Sequence, residues 1–166
     1  MLFLSVLNTM KVIRYITSVD PDVKYPGTKF ADEIDMYLSD PDGWESHGYE
    51  FVRVESKPNV HIRLSSPKTM LHESGCRRDD LSCAELNGHK MFLNAHRWTA
   101  GSRASGQDLD GYRQYVVSHE MGHILGHDHV KCPGSGQPAP IMMQQTVGIG
   151  QCRPNTKLTN MDKFTS

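Results

Sequence analysis

The fold of this chain is decided by one histidine-rich segment, Ser118-His119-Glu120-Met121-Gly122-His123-Ile124-Leu125-Gly126-His127-Asp128-His129. His119 and His123 are four residues apart, so on a helix their imidazole rings project from the same face, one turn apart. This spacing lets both ring nitrogens reach a single zinc ion at about 2.0–2.1 Å. Glu120 lies one position further round the helix, where its carboxylate can take a proton from a zinc-bound water.

A third ligand is available from either His127 or His129. If the helix continued, His119 and His127 would stand about 12 Å apart along its axis, which is too far for both to bind one ion. Gly126 can adopt a positive φ, end the helix and turn the chain back toward the metal. We therefore predict that His119, His123 and His129 bind one catalytic Zn²⁺, and that His127 lies at the surface or beside the ligands.

The remaining sequence predicts an α+β fold in one domain over residues 1–166, with a twisted mixed sheet packed on two helices. Strands are predicted, from β-branched content or alternating burial, at Lys11–Val19, Phe51–Glu55, Val60–Ser65, Leu81–Glu85 and Lys90–Ala95. Asn87-Gly88 is a hairpin-type turn signal between the last two strands. Helices are predicted over Lys29–Leu38, after a turn and N-cap in Pro26-Gly27-Thr28, and over Asp110–Leu125.

Other segments lack a periodic pattern. Residues 1–10 are interpreted as an apolar lead-in, because they lack the basic stretch and cleavage site of a signal peptide; Met10 is an alternative start. Residues 66–80 are predicted as a long loop and residues 101–106 as a flexible stretch. The chain after the second helix is predicted as an irregular lobe with a flexible tail over 155–166, and such a long segment without regular structure favours a functional role.

The chain has four cysteines, none of which forms a C-x-x-C pair: Cys76, Cys83, Cys132 and Cys152. Pairing Cys76 with Cys83 and Cys132 with Cys152 would close two short loops in segments that cannot build a core. The even count favours an oxidising, extracellular compartment, with four reduced cysteines as the alternative.

The charge balance excludes some partners. Lys and Arg number 18 against 19 Asp and Glu, a formal net charge of −1, which provides no electrostatic basis for binding nucleic acid or a lipid surface. No apolar stretch approaches the roughly 20 residues that cross a bilayer. We expect a monomer that acts on a peptide or protein, without a nucleic-acid or membrane partner.

The histidine segment resembles the metzincin zinc endopeptidases, whose signature is H-E-x-x-H-x-x-G-x-x-H followed by a Met-turn. The matching residues are His119, Glu120, His123, Gly126 and His129. This resemblance implies a zincin-like fold and hydrolysis of peptide bonds.

Downstream, Pro140-Ile141-Met142-Met143-Gln144 resembles the Met-turn, with Met142 placed below the zinc ligands and Met143 as the alternative. Several metzincin families have a tyrosine two residues after this methionine, where the present chain has Gln144, whose amide could donate to the oxyanion. The resemblance also implies an edge strand that holds an extended substrate, and Leu81–Glu85 is the candidate.

The run from Tyr25 to Pro154 also resembles a family of uncharacterised, mostly secreted bacterial zincin-like domains. The segments that carry this resemblance are Asp42-Gly43-Trp44, Phe51-Val52-Arg53-Val54, Tyr115-Val116-Val117-Ser118, Cys132-Pro133-Gly134 and Pro138-Ala139-Pro140. That family implies a fold and no particular substrate.

The sequence therefore predicts a zinc metallopeptidase. Two alternatives stay open: a small zinc-dependent ribonuclease with a similar three-histidine motif, and a non-catalytic zinc-stabilised binding module. Glu120 argues against both, because the nuclease motif lacks that glutamate and a structural site has no need of a general base.

Overall fold

The computed structural model describes residues 9–72 and 76–163. Its helices and strands follow the chain as β1 (Lys11–Val19), α1 (Gly27–Leu38), β2 (Tyr49–Arg53), β3 (Val60–Ser65), α2 (Pro67–His72), β4 (Cys83–Ala84), β5 (Lys90–Asn94), α3 (Ala95–Ala100) and α4 (Leu109–Ile124). Short 3₁₀ turns lie at Trp44–His47, Arg103–Ser105 and Asn160–Lys163. The predicted α+β class is confirmed.

The sheet has five strands in the order β2-β1-β3-β5-β4. The first four in this order run parallel, and β4 pairs antiparallel with β5, so the sheet is mixed. β4 forms one edge of the sheet and contacts α4, which carries the histidine segment. This arrangement places a free strand edge beside the predicted metal site.

The main core lies between one face of the sheet and the two long helices. Alternate residues of β3, Val60, Ile62 and Leu64, are buried, as the period of two requires. Phe30 and Ile34 of α1 are fully buried in the same cluster, which also contains buried apolar side chains of α4. Burying each such side chain contributes about 1.5–3 kcal/mol, which fixes α4 against the sheet.

The bounds of the long strands agree best with those predicted from the sequence. β1 and β3 have the predicted bounds, whereas β2 lies two residues earlier than predicted and β4 is reduced to Cys83–Ala84. The start of α1 also differs, since Pro26 occupies the N-cap without a side-chain hydrogen bond and Thr28 lies inside the helix. Local propensity indicates these elements, but packing sets their ends.

Two short helices were not predicted. Residues 66–80, expected to be a loop, contain α2, which is anchored by the fully buried Met70. α3 directly follows β5, and the side chain of Asn94 caps it by accepting a 2.9 Å hydrogen bond from the Arg97 amide. The stretch 101–106 includes a 3₁₀ turn in which Ser105 is buried. Isolated helices of this length are unstable, so tertiary contacts rather than periodicity stabilise them.

The C-terminal lobe is irregular, as expected. Its ends are joined by Cys132–Cys152, and a second disulfide joins Cys76 to Cys83, with Cα–Cα separations of 5.9 and 6.0 Å. Residues 155–163, expected to be part of a flexible tail, fold back onto the lobe and bury Asp162. Residues 1–8 and 164–166, which include most of the apolar lead-in, lie outside the described residues. No helix in the described ranges is long and apolar enough to cross a bilayer.

Candidate metal centre

Three predicted ligands converge at the C-terminal end of α4. The ligand nitrogens of His119, His123 and His129 all lie within 4.8 Å of one another. The Nε2 atoms of His123 and His129 are 3.1 Å apart. Two nitrogens bound tetrahedrally to zinc at 2.0–2.1 Å would stand about 3.3 Å apart, so the cluster fits one zinc ion.

Backbone carbonyls set the tautomer of two of these rings. Nδ1 of His119 lies 2.7 Å from the carbonyl oxygen of Ile141, and Nδ1 of His123 lies 2.8 Å from that of His127. Because a carbonyl can only accept, each Nδ1 carries the proton and donates it. Each Nε2 therefore keeps its lone pair free for a metal, the arrangement that histidine ligands usually show.

Burial favours the neutral form of the three rings. Burial, followed by the neighbouring His123, lowers the pKa of His119 to about 3. Burial also lowers the pKa values of His123 and His129. Neutral imidazole is the form that binds zinc, so the rings are prepared as ligands at neutral pH.

A helix C-cap directs His129 back to the cluster. Gly126 has a φ of 97°, and its amide donates to the His123 carbonyl at 3.0 Å. The His127 amide donates to the Gly122 carbonyl at 2.9 Å, which completes a Schellman motif. A Cβ atom on Gly126 would overlap the side-chain amide of Asn87, so both backbone conformation and space require glycine.

The two candidate third ligands have different surroundings. His129 belongs to the cluster, whereas the His127 ring stacks on Trp44 with centroids 4.5 Å apart and planes inclined by 28°. Trp44 is itself held by a 2.8 Å hydrogen bond from its indole nitrogen to the Ser118 carbonyl. His127 contacts the cluster through its carbonyl, which orients His123.

Glu120 is a buried carboxyl in the same cleft. It is 4% exposed, and burial raises its pKa to about 8. Its Oε2 atom has no hydrogen-bond partner within the described residues. A buried oxygen without a partner is costly, so this atom is available to a molecule that enters the cleft.

Met142 packs directly below the histidine helix. It is fully buried, and a Cβ atom on Gly122 would overlap its Sδ atom and approach Trp44 Cζ2 to 2.8 Å. Gly122 thus permits the close contact between the helix and the methionine. Met143 is only partly buried, and its carbonyl accepts a 3.1 Å hydrogen bond from Tyr115. Met142, rather than Met143, is therefore the methionine that packs against the histidine helix.

A cleft of about 410 Å³ contains the cluster. Its lining includes Leu81 and Cys83–Ala84 on the β4 side and Gln144 and Val147 from the lobe. The predicted substrate strand therefore borders the site, although only two of its residues form a ladder. Gln144 reaches the same cleft and is exposed.

Three supporting residues were not predicted: Tyr115, Gln145 and Asp162. The Tyr115 hydroxyl donates to the Met143 carbonyl and accepts from the Gln145 amide at 2.9 Å. Gln145 is fully buried, and its Nε2 donates to the Pro140 carbonyl at 3.0 Å. Tyr115, four residues before His119, could have been found from helical periodicity, whereas the other two depend on the folding of the lobe.

Comparisons with known proteins agree with this architecture. Residues 5–164 match the family described as "Protein of unknown function (DUF3152)". The chain belongs to this family. This DUF3152 domain is also similar to the crystal structure of archaemetzincin from Methanopyrus kandleri, with a TM-score of 0.53 and 12% sequence identity over 96% of this chain and 94% of that chain. At this identity the similarity shows the fold, which is zincin-like. No curated protein matches the domain.

Proposed function

We propose that this domain is a zinc-dependent endopeptidase in which His119, His123 and His129 hold one zinc ion. The observation that carries the proposal is the convergence of three histidines beside the buried Oε2 atom of Glu120, which has no hydrogen-bond partner in the part of the chain that the structure describes. Three protein ligands leave an open position on zinc, which a catalytic site needs and a structural site does not.

In the proposed reaction the zinc ion and the side chains have separate roles. When bound, zinc supplies a Lewis acid for the scissile carbonyl and lowers the pKa of a water toward about 7. Glu120, buried in the cleft, accepts the proton of the attacking water and passes it to the leaving amine. Gln144, at the cleft wall, is the proposed amide donor to the oxyanion.

The free edge of β4 is the proposed place for the substrate backbone. An extended peptide can add to an exposed strand edge through main-chain hydrogen bonds. β4 ends the sheet order and lines the same cleft as Glu120, so a peptide paired along it would pass the carboxylate. The substrate class is therefore an extended, unfolded segment of polypeptide.

The test compares Glu120→Gln with the wild type on a denatured protein or a peptide library. The variant should keep its zinc, because Glu120 is not in the ligand cluster, while cleavage falls by about 10² to 10⁴. Glu50→Gln, on the exposed surface of β2 at the opposite edge of the sheet, is the matched control and should cleave normally. A chelator should abolish cleavage, and added zinc should restore it.

Two other outcomes would contradict the proposal. Cleavage by Glu120→Gln at the wild-type rate would show that the proposed general base is wrong. Wild-type protein that binds zinc but cuts no peptide would support the non-catalytic binding module instead.

A further inference from the structure

One peptide group links a histidine ring to a buried carboxylate. The carbonyl of Ile141 accepts a hydrogen bond from His119 Nδ1 at 2.7 Å. The amide of Met142, which belongs to the same peptide group, donates to Asp162 Oδ1, also at 2.7 Å. The ring and the carboxylate are thus bonded to opposite ends of one planar, polarisable unit.

Both carboxyl oxygens of Asp162 accept hydrogen bonds. Asp162 is fully buried, and its Oδ2 atom accepts from the Thr159 amide at 2.7 Å and from the Thr159 hydroxyl at 2.8 Å. Backbone amides can only donate, so both carboxyl oxygens act as acceptors.

We propose that Asp162 is a positioning residue for His119 and acts through the Ile141–Met142 peptide group. The inference rests on the proposed metal centre, in which His119 is a ligand. Histidine ligands commonly donate their second ring N–H to a carboxylate or a carbonyl, which fixes the tautomer and raises ligand basicity. Here a carbonyl accepts from the ring, and a carboxylate at the far end of the same peptide group strengthens that acceptor.

Two physical effects support this role. Hydrogen bonds in series polarise one another, by about 10–30% per bond, and bonds to an ionised acceptor are stronger than neutral ones. In addition, the bond from the Met142 amide fixes the residue whose Sδ atom packs against Gly122 below the ligands. A single carboxylate thereby controls the orientation of His119 and the packing beneath it.

His123 provides an internal reference. Its Nδ1 donates to the His127 carbonyl, whereas Asp162 accepts from the Met142 amide and from Thr159. The proposal therefore predicts an effect of Asp162 on the His119 ring that the His123 ring does not share. General loosening of the lobe would not discriminate between the two rings in this way.

The test uses Asp162→Asn, which keeps the shape and removes the charge. Asp42→Asn is the matched control, because Asp42 pairs with Lys157 of the same C-terminal segment without contacting the peptide group. In metal-free protein with ¹⁵N-labelled histidine, the His119 Nδ1 proton resonance should move upfield in Asp162→Asn, as expected for a weaker hydrogen bond. The His123 resonance should stay in place, and Asp42→Asn should change neither.

Zinc affinity gives the second measurement. By competition with a chelator, Asp162→Asn should bind zinc about 10- to 100-fold more weakly than the wild type, the usual loss when a partner of a ligand is removed. Folded Asp162→Asn with an unchanged His119 resonance, or with equal shifts of His119 and His123, would overturn the proposal. If the wild type binds no zinc, the proposed function fails, while the metal-free spectra still decide whether Asp162 acts on His119.

A milder variant covers the case in which Asp162→Asn does not fold. Thr159→Val removes the hydroxyl that bonds Oδ2, so more negative charge remains for the bond to the Met142 amide. The His119 resonance should then move downfield, opposite to the direction expected for Asp162→Asn. An unmoved His119 resonance in Thr159→Val would overturn the proposal.

Discussion

His127 and His129 follow the same helix end, yet only His129 joins the ligand cluster. The Schellman motif at Gly126 separates them, because the chain reverses direction there and His127 is left against Trp44. The backbone conformation at Gly126 therefore determines which of the two neighbouring histidines joins the cluster.

Two alanine substitutions test the assignment of the zinc ligands. His129→Ala should lose most of the roughly one zinc per chain expected for the wild type, because only two histidine ligands remain. His127→Ala should keep the metal but lose about 0.5–1.5 kcal/mol of stability with its stacking on Trp44. Metal analysis and thermal unfolding measure both effects, and full zinc retention in His129→Ala would refute the assignment.

Among the elements, β1 and β3 are joined by an ion pair as well as by their ladder. Asp20, directly after β1, is 3% exposed and lies 2.8 Å from Arg63 of β3. Burial alone would raise the pKa of Asp20. The hydrogen bond from Arg63 is the largest of the effects that lower this pKa, and together they bring it below the usual value for aspartate. Folding therefore favours the ionised form.

This pKa shift predicts a pH-dependent stability. Because the folded pKa is depressed, the contribution of Asp20 is fully present above the unfolded pKa of about 3.9 and is lost as the pH falls through the lower folded value. Asp20→Asn should cost about 1.5–3 kcal/mol at pH 7, the usual range for a hydrogen bond to a charged group. Urea unfolding should show the difference from the wild type shrinking at pH 3.

The nearby Asp22→Asn is the control for Asp20. Asp22 is exposed and should change stability little at either pH. A difference between Asp20→Asn and the wild type that is as large at pH 3 as at pH 7 would contradict the assignment of the effect to the ionised carboxylate.

The sequence predicts those elements whose own residues form a recognisable pattern. The β-branched run of β1 and the alternation in β3 predict strands with the observed bounds, and histidine spacing brings together His119 and His123. α3 could not be predicted this way, because its six residues are stabilised by the buried Trp98 and by the cap from Asn94. Asp162 gave no signal at all, because its link to the site is the backbone amide of Met142, which is distant in sequence.

In the molecule as a whole, the Cys132–Cys152 disulfide closes the lobe that contains Ile141 and Met142. A closed loop of this size contributes about 3 kcal/mol by restricting the unfolded chain. Cys132→Ser combined with Cys152→Ser should lose stability of that order. It should also weaken zinc binding, because the Ile141 carbonyl that orients His119 lies in the loosened segment.

The other disulfide provides the comparison. Cys76→Ser combined with Cys83→Ser opens the cleft wall rather than the lobe, so it should preserve zinc affinity while changing peptide cleavage. Denaturant unfolding, chelator competition and non-reducing mass mapping measure these effects. Equal zinc affinity in both double variants would show that the lobe does not support the metal centre through its disulfide.

The hydrogen bonds of the Ile141–Met142 peptide also have a consequence for synthesis of the chain. The three histidines lie within residues 119–129, but the carbonyl that orients His119 and the carboxylate bonded to that peptide come from residues 141 and 162. During synthesis, all three histidines therefore leave the ribosome before the residues that orient His119. We expect the centre to reach its final geometry only after Asp162 has been added to the chain and has left the ribosome, which is later than the histidine helix emerges.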